Sequence, residues 1–206
     1  MTMWRLIGGT ILHPRRTFKA VSSGPRPFAA GLKAVTAVGA LYALASAGLA
    51  VSGALVTAPP VLKIVPENYY FWEMIFALPV FVLAWLAAGF SAGLVSTGKG
   101  AGSFKGFLSA LGLALAVPSL LAWIPQAALT VLLLLGPKQE EVMEWTAHPG
   151  IVQTIGLGCQ LLAVAWMFVL AAEAGRSACG LGPARAAAAG SVAALVFLAA
   201  LIVFIR

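Results

Sequence analysis

The sequence predicts an all-α integral membrane protein: a five-transmembrane-helix bundle with a short N-terminal interfacial amphipathic segment and a proline-broken third helix. Three observations carry that prediction. Of the 206 residues 61% are hydrophobic and 9% charged, with no aspartate, whereas ordinary soluble domains are about 25% charged. Apolar runs long enough to cross about 30 Å of hydrocarbon, which takes about 20 helical residues, recur five times. Basic residues gather on one side of those runs. Helices are the default for such runs, because the bilayer interior offers backbone groups no water and the alternating pattern of a barrel is missing.

Taken in order, residues 1–33 form a cytoplasmic amphipathic segment and residues 34–206 the five-helix transmembrane domain. In the first part, arginines are scattered through short apolar pieces, unlike the unbroken apolar core of a cleaved export signal. Trp4, Ile7 and Ile11 share a helical face, although Gly8 and Gly9 weaken that helix. Pro14 suits the first turn of a second short helix, from which Arg15, Arg16 and Lys19 reach lipid head groups. The spans are expected at Ala34–Thr57, Tyr70–Val95, Phe107–Leu135, Gly150–Ala172 and Ala186–Ile205.

Charge then orients the bundle. Arg5, Arg15, Arg16, Lys19, Arg26, Lys33, Lys99, Lys105, Arg176 and Arg185 fall on one side. Lys63, Lys138 and Arg206 fall on the other, with Glu67, Glu73, Glu140, Glu141 and Glu144. The positive-inside rule puts the N-terminus in the cytoplasm and the C-terminus outside. Because the basic residues cluster where the chain meets the membrane, the expected partners are the bilayer and its anionic lipid head groups at the cytoplasmic face, not nucleic acid. Trp72, Trp145, Tyr69 and Tyr70 read as aromatic anchors at the outer interface.

Metal, redox and catalytic signals are weak. Cys159 and Cys179 are expected at different depths, which disfavours a disulfide, and His13 and His148 on opposite sides. No His, Cys or acidic cluster has ligand-like spacing, so neither a metal nor a cofactor is expected. Gly89–Gly93, GFSAG, matches the G-x-S-x-G pattern of serine hydrolases, yet its flanks read as a membrane helix and no base is placed to activate Ser91. Gly89 and Gly93 instead form a surface for close helix packing, a role expected also of Gly102 and Gly106. Gly39, Ala43 and Ala47, and Ala186, Gly190 and Ala194, form similar stripes. Those faces suit contacts within one chain or between copies alike.

The third run, Phe107–Leu135, would make a straight helix of about 43 Å, well over a bilayer core. Pro118 and Pro125 each remove an intrahelical bond, predicting a kink or two half-helices joined around Ser119–Ile124. The freed carbonyls need partners, and Ser119, Gln126, Gln153 and Gln160 are the candidates for an intramembrane polar pocket. Such a pocket is either a sealed network that fixes packing or a wet cavity for a small polar solute.

Three pieces resemble a known family. They are LHPRRTFKAV at Leu12–Val21, GSFKGFLSALGLALAVPSLLAWIP at Gly102–Pro125, and the final pair of apolar spans split by a short loop. Together the chain resembles the bacterial branch of the Yip family, membrane proteins named in eukaryotes for interaction with Ypt/Rab-type GTPases. The resemblance implies five spans with a cytoplasmic N-terminus, in the inner membrane of a prokaryote. It also implies a non-enzymatic role in membrane organisation, trafficking-like processes or docking of other membrane proteins or of a second copy. Many relatives place a tyrosine shortly before the first late proline, where this chain has GLALAV at Gly112–Val117. GTPase binding is not transferred, because the region before the first span is short, basic and apolar. The alternative reading is a small transporter or permease component using the polar site near the broken third helix.

Overall fold

The computed structural model describes residues 2–56, 61–62, 64–95, 103–137, 139–147 and 150–205, without the side chains at 143, 145–147 and 151–152. Gly102, Lys63, Lys99, Lys138, His148 and Arg206 lie outside the described residues, and the side chain of Trp145 is not described. The elements are α1 (Met3–Leu12), α2 (Pro14–Ser22), α3 (Pro27–Val51), a 3-10 turn (Pro66–Asn68), α4 (Tyr69–Val95), α5 (Phe104–Leu134), α6 (Gln139–Ala147), α7 (Ile151–Cys179) and α8 (Pro183–Phe204). Among the described residues there is no strand. Five helices, α3, α4, α5, α7 and α8, are long and apolar enough to cross a membrane.

Local chemistry explains where these helices begin and end. Prolines occupy the first turn of α2, α3 and α8, where a missing N–H costs nothing. Ser103 caps α5 by accepting the Gly106 N–H at 3.0 Å. Gly180 ends α7 in the left-handed region at φ 66°, its N–H returning to the Arg176 carbonyl at 3.0 Å.

The spans close into a ring: α3 packs on α4, α4 on α8, α8 on α7, α7 on α5, and α5 back on α3. The α1–α2 hairpin seats against α5 and α7 at one end of the ring, here called the hairpin end. Leu6, Phe18 and Val21 pin it there and join the main core. Every residue of α5 from Gly106 to Ser119 is buried.

That burial depends on close backbone approach. A Cβ on Gly112 would sit 2.6 Å from the Cα of Gly31, and one on Gly31 would sit 2.8 Å from the Cα of Ser109, so α3 and α5 cross main chain to main chain. Gly190 meets the backbone of Ala172 in the same way, joining α8 to α7. Small residues at such crossings raise dispersion contact where the hydrophobic effect gives helices no reason to associate.

Several expectations are corrected. Of the two forms expected of the third span, a kink or two half-helices, the half-helices are excluded: α5 runs as one helix through both Pro118 and Pro125. Neighbouring helices supply the packing that lets a membrane helix carry proline without a break. The helix that carries the first span begins at Pro27, ahead of the expected span start at Ala34. The fourth extends past Ala172 to Cys179, and the segment before it holds the unforeseen α6.

Candidate functional site

Polar groups collect inside the end of the bundle opposite the hairpin. Glu73, one turn into α4, is fully buried. Its Oε2 lies 3.1 Å from the Oγ of buried Ser46 on α3, which also lies 3.0 Å from the Tyr42 carbonyl. A serine hydroxyl has one proton, so Ser46 donates to one of these acceptors at a time. Tyr42 and Tyr70 lie within electrostatic reach of the same carboxyl. From α5, the Ser119 carbonyl accepts from the Tyr42 hydroxyl at 3.4 Å. Thr130 donates to the Gln126 carbonyl at 2.8 Å and approaches the Ala45 carbonyl at 3.4 Å.

This arrangement differs from the pocket expected of the four polar residues. Ser119 is buried, but its hydroxyl donates to the Leu115 carbonyl at 2.8 Å rather than to the Ala114 carbonyl that Pro118 frees. Gln126 has a buried Nε2 with no hydrogen-bond partner among the described residues. On α7, Gln153 is half-buried and Gln160 exposed. Glu73 is the residue that sequence reasoning missed. Its place near the start of a span suggested an outer-side charge, but it shares a helix face with Ala77, Val80, Phe81 and Ala84, all buried. A carboxyl on the small-residue face of a span was the available signal.

The packing residues fall as follows. Gly89 faces the Leu108 side chain and Gly93 the Phe104 ring, both on α5, with Ser91 between them in unbroken helix. Gly106 faces the backbone of Ser22 at the end of α2. Near that junction Trp85 of α4 donates its Nε1–H to the Leu108 carbonyl at 2.9 Å, deep in the core.

At the hairpin end a second constellation forms. Arg15 donates through Nε to Glu173 Oε1 at 3.0 Å, tying α2 to α7. Ser177 donates to the same oxygen at 2.9 Å, and Arg176 lies 3.9 Å from Oε2. Arg15, Arg16 and Lys19 are all exposed. Glu173 escaped notice because it lies one residue beyond the expected end of its span. Cys159 and Cys179 are both free thiols.

The family model described as Yip1 domain matches residues 8–205. No curated protein and no solved structure matches the chain. The match covers the hairpin from its middle onward and all five spans, so the chain belongs to the Yip1 domain family, an integral membrane protein as its helices require.

Proposed function

We propose, with membership of the Yip1 domain family as the premise, that this protein is a non-enzymatic organiser of its membrane. In this reading the hairpin lies on the cytoplasmic leaflet of a prokaryotic inner membrane, gathers anionic lipid, and docks other membrane proteins or a second copy. The observation that carries the proposal is the two-sidedness of the hairpin. Leu6, Phe18 and Val21 face the bundle, while Trp4 is 83% and Leu12 72% exposed. Arg5, Arg15, Arg16 and Lys19 are exposed alongside them. Exposed apolar groups beside cations suit a lipid interface, where the rings sink among head groups and the cations meet phosphate.

Transport is the second reading, favoured by the carboxyl of Glu73 within a span. Against it, the neighbours of that carboxyl form a close-packed set of short contacts that suits a helix clamp. The test is the full chain in proteoliposomes with a photo-crosslinking residue in place of Trp4. Adducts with anionic lipid or membrane protein, and no ion flux, are the expected result. A flux that Glu73→Gln abolishes would overturn the proposal in favour of transport.

A further inference from the structure

The hairpin end contains a cleft of about 540 Å³ lined by His13, Pro14, Arg15, Arg16, Val169, Leu170 and Glu173. Its size falls in the range of about 300–1,000 Å³ typical of small-molecule sites. Its two sides differ in chemistry. On the α2 side, the helix starts at Pro14, and its N-cap residue His13 makes no side-chain cap. The first-turn N–H groups of Arg15 and Arg16, two residues of the cleft lining, have no intrahelical partner. On the α7 side, Val169 and Leu170 provide an apolar floor, and Val169 is 65% exposed on the surface of a membrane-crossing helix.

Glu173, the one acid in the lining, is already engaged. It is 14% exposed and held by Arg15 Nε, Ser177 and Arg176. Its bond to Nε leaves both terminal nitrogens of Arg15 available, in a side chain 69% exposed. Arg16 joins no ion pair among the described residues. Two cations face one neutralised anion, so the cleft carries an excess of positive charge directly above an apolar wall.

We propose that this cleft is the binding site of one anionic phospholipid, its phosphate held by Arg15, Arg16 and the start of α2, and an acyl chain laid against Val169 and Leu170. A soluble anion would use the arginines and waste the apolar floor. A zwitterionic lipid would bring its own cation against Arg15 and Arg16, where like charges repel. The proposal rests on the reading of the hairpin as a lipid-facing element and narrows it from general attraction to one site. Lys19 lies outside the cleft lining and has no part in that site.

The experiment is native mass spectrometry of the full chain in neutral detergent, titrated with phosphatidylglycerol, phosphatidylcholine or inorganic phosphate. Saturable binding of one phosphatidylglycerol is expected, at least about tenfold tighter than phosphatidylcholine, and unaffected by millimolar inorganic phosphate. Arg16→Ala should weaken it about tenfold, the scale of one charge-assisted hydrogen bond, and Lys19→Ala should leave it unchanged. Both side chains are exposed, so neither change threatens the fold. Val169→Trp, which fills the cleft without altering charge, should abolish binding while the helical circular dichroism stays native. Equal losses in Arg16→Ala and Lys19→Ala, retention in Val169→Trp, or displacement by inorganic phosphate would overturn the site and leave the lipid-surface reading standing. Equal affinity for the two lipids would overturn both.

Discussion

The two halves of α5 are both strongly apolar, yet they occupy different worlds. From Gly106 to Ser119 every residue is buried, whereas from Leu120 to Leu134 only Thr130 and Leu133 are. Hydropathy does not separate them; side-chain size does. The first half carries Gly106, Gly112, Ser109, Ala110, Ala114 and Ala116, which let α2, α3 and α4 approach its backbone. The second half is richer in Leu, Ile and Trp and leaves Ile124, Val131, Leu132 and Leu134 exposed. In lipid, where exposed leucine costs nothing, a helix becomes central by being thin rather than by being greasy.

The largest test of that contrast is to thicken each half in turn. Gly112→Leu should cost more than about 3 kcal/mol and dissolve the native bundle, because the new side chain meets the main chain of Gly31 and cannot be repacked. Ala128→Leu, at an exposed position, should stay within about 0.5 kcal/mol. Thermal unfolding and gel-filtration profiles in one detergent measure both, and equal effects would break the comparison.

A middle-sized test uses indole hydrogen bonds. Trp85 donates to Leu108 in the buried half, and Trp123, half-exposed in the second half, donates to the Leu41 carbonyl at 3.1 Å. Trp85→Phe should cost about 1–2 kcal/mol, since it leaves a cavity and a buried carbonyl without its second donor. Trp123→Phe should cost about 0.5 kcal/mol, near the average for hydrogen bonds between membrane helices. Unfolding titrations of the two variants should keep that order.

The smallest effect is expected at Gln126. Its buried Nε2 has no partner, so Gln126→Leu removes a desolvated donor and should be neutral or slightly stabilising, within about 1 kcal/mol. A clear loss of stability in the same titration would mean that the amide holds something, and would make the second half of α5 more than a peripheral stretch.

These contrasts also mark how much the chain disclosed in advance. Span number, the helix start at Pro14 and the two-helix character of the N-terminus follow from local signals, namely run length and proline position, whereas α3 and α8 open at Pro27 and Pro183, ahead of the expected span starts at Ala34 and Ala186. Contacts between distant helices have no local signature. Gly31 belongs to no stripe at fourfold spacing and Gly112 pairs only with Ala116, yet the two bring the main chains of α3 and α5 together. Pro118 and Pro125 predict a kink or two half-helices because an isolated helix would yield there; the surrounding ring holds α5 as one helix. Gln153 and Gln160 share a face in sequence, but Gln160 is exposed whereas Ser119 is buried. Arg15, Arg16 and Lys19 were grouped by charge, and the structure divides them, with two at a cleft and the third outside it.

The clasp between Arg15 and Glu173 joins residues 158 positions apart. At about 5–20 residues synthesised per second, roughly 8–30 s separate the emergence of the two partners from the ribosome. The segment made first can meet α5 earlier, but its tie to α7 cannot close until the fourth span has been delivered. The clasp thus reports that the fourth span is in place.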